Sequence, residues 1–259
     1  MKDSAQMNDA VVTNSDRQLS DGGGTLYQLT NEQDKAAREY DRWARQNSLW
    51  GRWFRYWFAP GRILFLNTPA WRLKKILSIG SSDRILDIGC GCGSLLIYLY
   101  KKIGFRVPVE GLDVSPAMVA LAEREIKKSG LEGKIRIRQG RGTELPYEDE
   151  TFEVVLSTYL LKHLSDEALI LMLEEVKRVL RPGGYFCFWE AAKSDIKALD
   201  RINMKLLSIQ VSTNNLRSSE NLRQKLQKAG FTGIESFAHA PYLYYPFMPR
   251  VGFICRKKS

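Results

Sequence analysis

Residues 85–93 read Ile-Leu-Asp-Ile-Gly-Cys-Gly-Cys-Gly, and this run constrains the chain more than any other. An apolar strand over 84–88 carries one carboxylate, Asp87, and glycines follow at alternate positions, Gly89, Gly91 and Gly93. An apolar helix then opens at Ser94, Leu95, Leu96 and Ile97. Strand, glycine turn and helix is how an α/β sheet brings backbone N–H groups up to a nucleotide-type ligand. Glycine permits positive φ and leaves no Cβ in the ligand's way. The spacing G-x-G-x-G is one residue shorter than the dinucleotide-binding G-x-G-x-x-G. Asp87 would repel a diphosphate but attract a ligand that carries an ammonium and a sulfonium.

A second acid supports this reading. Residues 109–113, Val-Glu-Gly-Leu-Asp, form a short strand ending at Asp113, twenty-six positions after Asp87. That interval is about one strand–helix–strand unit, so Asp113 should emerge beside the glycine turn and can accept both hydroxyls of a ribose. Ser115 and Pro116 then start a helix as N-cap and first helical residue.

Four segments together resemble a known family: Ile85–Gly93, Gly111–Pro116, Leu145–Val155 and Val179–Gly184. In order and spacing they look like successive motifs of class I S-adenosylmethionine-dependent methyltransferases, over roughly residues 75–256. The resemblance implies S-adenosylmethionine as cofactor. It would be bound by Tyr40, Asp87, Gly89, Cys90, Gly91, Gly93, Asp113, Val114, Met118, Gly142, Thr143 and Thr158. Two departures stand out. Cys92 replaces the threonine common in the glycine turn. Arg141 stands where the family often has an acid that meets the adenine amino group, and arginine cannot accept that hydrogen bond. Either backbone groups near Gly142 and Thr143 read the adenine, or Glu144 does, or the adenine is held loosely.

The rest of the chain fits an α/β, Rossmann-like, doubly wound, mostly parallel seven-stranded sheet with an antiparallel last strand and an N-terminal helical lid. Strands are expected near 84–88, 108–112, 134–138, 153–158, 185–189, 234–237 and 251–255. Leu169, Leu171, Met172, Leu173, Val176 and Leu180 stand at helical spacing over 166–180, and Arg181-Pro182-Gly183-Gly184 ends that helix. Ser218 to Asn221 caps another helix that ends at Gly230. Three parts are expected: a polar, disordered tail over 1–30, an aromatic and basic lid over 31–79, and the cofactor-binding domain over 80–259. At 44% apolar residues the chain can build one core. The four cysteines, Cys90, Cys92, Cys187 and Cys255, show no metal spacing and no disulfide framework, and they suit a reducing compartment. With no signal region and no long apolar run, a cytoplasmic protein is expected, peripheral at most on the inner face of a membrane.

The lid segment has an unusual composition. Five of the six tryptophans lie in it, and between Tyr40 and Lys75 eight basic residues meet one acid, Asp41. Trp50, Trp53, Phe54, Trp57 and Phe58 share one helical face, and Arg52 and Arg55 fall away from it. Tryptophan and arginine on a short amphipathic helix suit an interfacial membrane contact. The same face also suits simple packing on the sheet domain, and the basic–aromatic mixture suits RNA. The entry segment around Glu39 to Ala44, with Pro60-Gly61-Arg62, is similar to that of quinone-precursor and phosphatidylethanolamine methyltransferases.

Substrate should lie beyond the carboxyl ends of strands four and five, near Thr158, Tyr159, Lys162, His163, Glu190 and Lys193. Glu190 follows an apolar strand and is the leading candidate for a base or cation binder; the alternative is a salt bridge to Lys193 or Arg201. His163 and Tyr159 complete the catalytic candidates, with loop support as the alternative for His163. Residues 240–248 add three tyrosines, a phenylalanine and a methionine. Two aromatic segments flanking one cavity point to a large apolar acceptor, a phospholipid amine or a quinone-type molecule. The rival readings are a methyltransferase that docks RNA or protein through the basic segment, and a binding protein of this fold without turnover.

Overall fold

The structure is a computed structural model that describes residues 33–42, 45, 73, 77–193, 197–198, 201–202, 205, 215–239 and 250–259. The expected tail, the aromatic face of Trp50, Trp53 and Trp57 with Arg52 and Arg55, and the aromatic stretch 240–248 lie outside those residues.

Seven strands form one sheet: β1 (Ile85–Ile88), β2 (Val109–Asp113), β3 (Ile135–Gln139), β4 (Phe152–Thr158), β5 (Leu180–Ala191), β6 (Thr232–His239) and β7 (Arg250–Arg256). Their order is β3-β2-β1-β4-β5-β7-β6. The first five pair in parallel, and β7 runs antiparallel to both neighbours, β5 and β6. The last strand is therefore inserted inside the sheet rather than added at its edge, where it is covered on both sides and loses its free edge.

Helices α1 (Ser94–Ile103) and α2 (Pro116–Lys128) cover one face, and α3 (Asp166–Val179) and α4 (Ser219–Lys228) the other. β1 shows why its sequence is almost wholly apolar: Ile85 packs with Leu96 and Ile126, while Leu86 and Ile88 pack with Met172 and Val176. A central parallel strand buried on both faces has no polar alternation. The helix ends follow local chemistry. Ser115, Ser165 and Ser218 cap α2, α3 and α4 by accepting from the backbone N–H of Met118, Ala168 and Asn221. Between α3 and β5, the register jumps from Phe152↔Leu180 to Val154↔Tyr185, so Arg181–Gly184 bulges out against one residue of β4.

Beyond the sheet, residues 33–42 are helical. This N-terminal helix touches the loops after β2, β3 and β4 in turn, through Asp41, then Gln33 and Asp34, then Tyr40. It closes over the carboxyl edge of the sheet, where the candidate ligands gather.

Candidate active site

The glycine turn connects β1 to α1. Gly89, Gly91 and Gly93 all hold positive φ, at 74°, 54° and 72°. At Gly91 a Cβ would meet nothing within 4 Å, so its positive φ is what calls for glycine there. The turn is pinned to β2, because the N–H groups of Gly89 and Cys90 both donate to Leu112 O, at 2.8 and 3.0 Å. Asp113 then fixes two loops at once. Its Oδ2 accepts from Gly91 N at 2.8 Å and its Oδ1 from Ser115 N at 2.9 Å.

Burial raises Asp113 from its usual range to about 6; the two backbone N–H bonds oppose the rise and Asp41 adds to it. Burial also pushes Asp87 well above the carboxylate range, with Asp113 reinforcing it. Asp87 is 1% exposed, and neither of its oxygens has a hydrogen-bond partner among the described residues. A buried carboxylate without a partner is costly unless a ligand brings the missing positive group.

A cofactor with an ammonium at one end and a ribose in its middle suits this arrangement. Asp87 offers the counter-charge and Asp113 the hydroxyl acceptor, while the open side of Gly91 gives room for close approach. Ribose hydroxyls donate best to an ionised carboxylate. Since Asp113 is raised, affinity for S-adenosylhomocysteine is expected to hold above neutral pH. It should fall below about pH 6, by at most about tenfold per pH unit. Titration calorimetry from pH 5 to 8 checks this, and Asp113→Asn should flatten the profile. The same shift acts on stability in the opposite sense. Asp113 favours the fold below its unfolded value near 3.8, and that contribution is lost as pH rises through about 6.

The remaining cofactor candidates line the same edge. Met118 lies buried in the first turn of α2, and Val114 O accepts from Gln139 Nε2 at 3.4 Å. Cys90 is buried within the turn, where burial raises its thiol well above the usual range. Thr143 Oγ1 accepts from Gln33 Nε2 at 3.3 Å. Gly142 faces inward instead: a Cβ there would sit 3.0 Å from Ile88 Cγ2, beside Met172. Thr158 ends β4 opposite Trp189.

The catalytic candidates meet at the ends of β4 and β5. A short 3-10 turn, Leu161–His163, follows β4. Tyr159 enters it with φ 56°, a left-handed conformation that a non-glycine residue holds only under constraint. Its phenol is raised by burial, opposed by Arg250 and reinforced by Glu190. Tyr40 from the N-terminal helix meets His163 Nε2 at 3.0 Å, with the two rings edge to face at 5.6 Å. Glu190 pairs with Lys162, not with Lys193 or Arg201. Its Oε1 lies 3.4 Å from Lys162 Nζ and accepts from Ala191 N at 2.8 Å, while Oε2 accepts from Lys162 N at 3.2 Å. Lys162 also donates to Tyr159 O. Burial lowers the Lys162 ammonium below its usual value, and Glu190 pulls it back up.

Several residues of the site stand outside the sequence expectations. Asp41 Oδ1 takes the Ser115 hydroxyl at 2.5 Å and Ala117 N at 3.1 Å, which docks the N-terminal helix on the start of α2. Arg217 and Asn215 hold the 3-10 turn from below. Arg217 donates to Leu161 O and Leu164 O, each at 2.7 Å, and Asn215 N to Lys162 O at 2.6 Å. A basic residue 51 positions beyond Asp166 gives no local signal for this role. Arg217→Ala should unpair buried carbonyls and cost about 3 kcal/mol, lowering Tm by roughly 6–12 °C. Differential scanning calorimetry measures it. Among the described residues, no cluster of His, Cys, Asp or Glu could hold a metal ion, and no helix is long and apolar enough to cross a membrane.

The sheet order, the glycine turn and the paired acids are similar to those of class I S-adenosylmethionine-dependent methyltransferases. Residues 85–184 match the family model described as a methyltransferase domain. The chain is 37% identical over 116 residues to the demethylmenaquinone methyltransferase of Lactobacillus johnsonii; the match covers 44% of this chain and only 47% of that protein. It is 28% identical over 202 residues to the enzyme of the same name from Alkalihalophilus pseudofirmus, covering 70% of this chain and 84% of that protein. In fold it is similar to an S-adenosylmethionine-dependent methyltransferase of Thermotoga maritima. That structure gives a TM-score of 0.64 at 21% identity, over 86% of this chain and 100% of the other.

Proposed function

We propose that this chain transfers a methyl group from S-adenosylmethionine to a lipid-soluble, quinone-type acceptor. The observation that carries the reading is the likeness to demethylmenaquinone methyltransferases, which extends along 84% of one of them. The sulfonium supplies an already activated methyl, so the chain's residues need mainly to align the acceptor and exclude water. The N-terminal helix is suited to that exclusion, because it is tied across three loops of the carboxyl edge.

A reduced quinone ring becomes a carbon nucleophile as its hydroxyl proton leaves. His163, hydrogen-bonded to Tyr40, is the proposed acceptor of that proton. Tyr159 forms the proposed wall against the ring. Glu190 acts through Lys162 as a positioning residue, since its carboxylate already holds an ammonium and two backbone N–H groups. The membrane surface is the proposed place of reaction, with the tryptophan-rich stretch around Trp50, Trp53 and Trp57 as the contact.

The test is partition of label. The chain is incubated with methyl-labelled S-adenosylmethionine and a membrane-containing extract, then with a reduced demethylated naphthoquinone alone. Label in the organic phase, and in the purified quinone, is the expected result. Label in RNA or protein would replace this reading with the docking one. S-adenosylhomocysteine binding without any label from either incubation would favour a binding protein.

A further inference from the structure

We propose that Asp34, brought in by the N-terminal helix and held by Arg141, is the group that accepts the adenine amino hydrogen of the cofactor. The inference rests on the reading that the ligand is S-adenosylmethionine, and it names how this chain distinguishes the base.

The order of the sheet places the base. Neighbouring strands lie about 4.8 Å apart. Asp87 on β1 suits the ammonium end, and Asp113 at the end of β2 suits the ribose. One strand further, the base reaches the loop after β3, residues Gln139 to Thr143. Adenine presents an exocyclic amine there, which is a donor and needs an acceptor.

The loop itself offers little. Arg141 carries donors only. Its carbonyl already accepts from Glu144 N at 3.2 Å, and Thr143 Oγ1 already accepts from Gln33. Glu144 is exposed. The N-terminal helix supplies what is missing. Asp34 Oδ1 takes Arg141 Nη2 at 2.5 Å, and Asp34 Oδ2 makes no hydrogen bond among the described residues. The carboxylate is held by one oxygen and free at the other, with 38% of its side chain exposed at the loop. Arg141 thus serves as the mount for a carboxylate carried by a different element. Adenine recognition is tied to seating of the helix, whose other end is fixed by Asp41 on Ser115.

The experiment compares two ligands by titration calorimetry: S-adenosylhomocysteine, and its inosine counterpart, which carries a carbonyl in place of the amine. The unsubstituted chain should prefer the amino form by roughly tenfold or more. Asp34→Asn should bring that ratio close to one, because an amide can turn its donor to the carbonyl. Adding Arg141→Asp to Asp34→Asn returns a carboxylate to the loop and should recover the preference for the amino form. Equal loss of both ligands in Asp34→Asn would mean only a dislodged helix and overturn the proposal. An unchanged ratio in Asp34→Asn would overturn it as well, while leaving the cofactor reading standing. Failure of the unsubstituted chain to bind S-adenosylhomocysteine would overturn the cofactor reading and this proposal with it.

Discussion

Asp113→Ala is expected to weaken binding of S-adenosylhomocysteine by on the order of 100-fold or more, measured by titration calorimetry at pH 7.5. The substitution removes charge-assisted hydrogen bonds to ligand hydroxyls, each worth about 1.5–3 kcal/mol. It also releases Gly91 N and Ser115 N, which Asp113 holds at 2.8 and 2.9 Å. The effect therefore has two parts, a lost ligand contact and a loosened cradle. Asp113→Asn separates them. The amide oxygen can still take one of the N–H groups, so the loop stays nearer its place while affinity for the ribose falls. If Asp113→Ala bound the ligand as tightly as the unsubstituted chain, the whole assignment of the glycine turn would be wrong.

The features behind this expectation are local in sequence, which is why they were legible. Asp87, the three glycines and Asp113 lie within one strand–helix–strand unit, and short-range chemistry decides their geometry. The same holds for Ser115 and Ser218, which cap their helices as their positions suggest. Strand boundaries also came within a residue or two where a buried parallel strand forces a continuous apolar run, as in β1 and β4. β5 was the exception: pairing carries it back through Arg181–Gly184 to Leu180, because the bulge preserves alignment with Phe152.

What was not legible depends on pairings that no local pattern encodes. For Glu190 the sequence offers a base or cation binder, or a salt bridge to Lys193 or Arg201 along its own stretch of chain. Instead, the register Thr158↔Trp189 sets the turn after β4 beside the end of β5, and Lys162 becomes the partner. Asp41 was visible as one acid among many bases, but its contact with Ser115 spans 74 positions. The insertion of β7 between β5 and β6 is a matter of chain order: the apolar run of β7 marks it as a buried strand and the polar residues of β6 suit an edge, but neither says that the later strand lies inside the earlier one. Long-range docking of the N-terminal helix changes the meaning of Arg141 as well. As a sequence position it is a donor where an acceptor is wanted; in the fold it is half of an ion pair with Asp34.

The Lys162–Glu190 pair leads to the largest expected stability effect. Both side chains are nearly inaccessible, at 9% and 3% exposure, so each charge depends on the other for compensation. Glu190→Ala should cost about 3–5 kcal/mol in urea unfolding, because it leaves an ammonium and two backbone N–H groups buried without their acceptor. Lys162→Met with Glu190→Gln removes both charges together and should cost clearly less than the sum of the single changes, with a coupling of about 2–3 kcal/mol. Additive losses would show that the two groups do not interact. The pH dependence has a definite sign. Burial already lowers Lys162 against the pull of Glu190, and without Glu190 it falls further. The folded form of Glu190→Ala then binds fewer protons than the unfolded chain, so its stability rises with pH where that difference holds. Its deficit should accordingly be greatest near neutral pH and shrink toward pH 10. A deficit that stayed constant over that range would point to lost packing rather than a stranded charge. It would also remove the reason for treating Lys162 as the group that Glu190 positions.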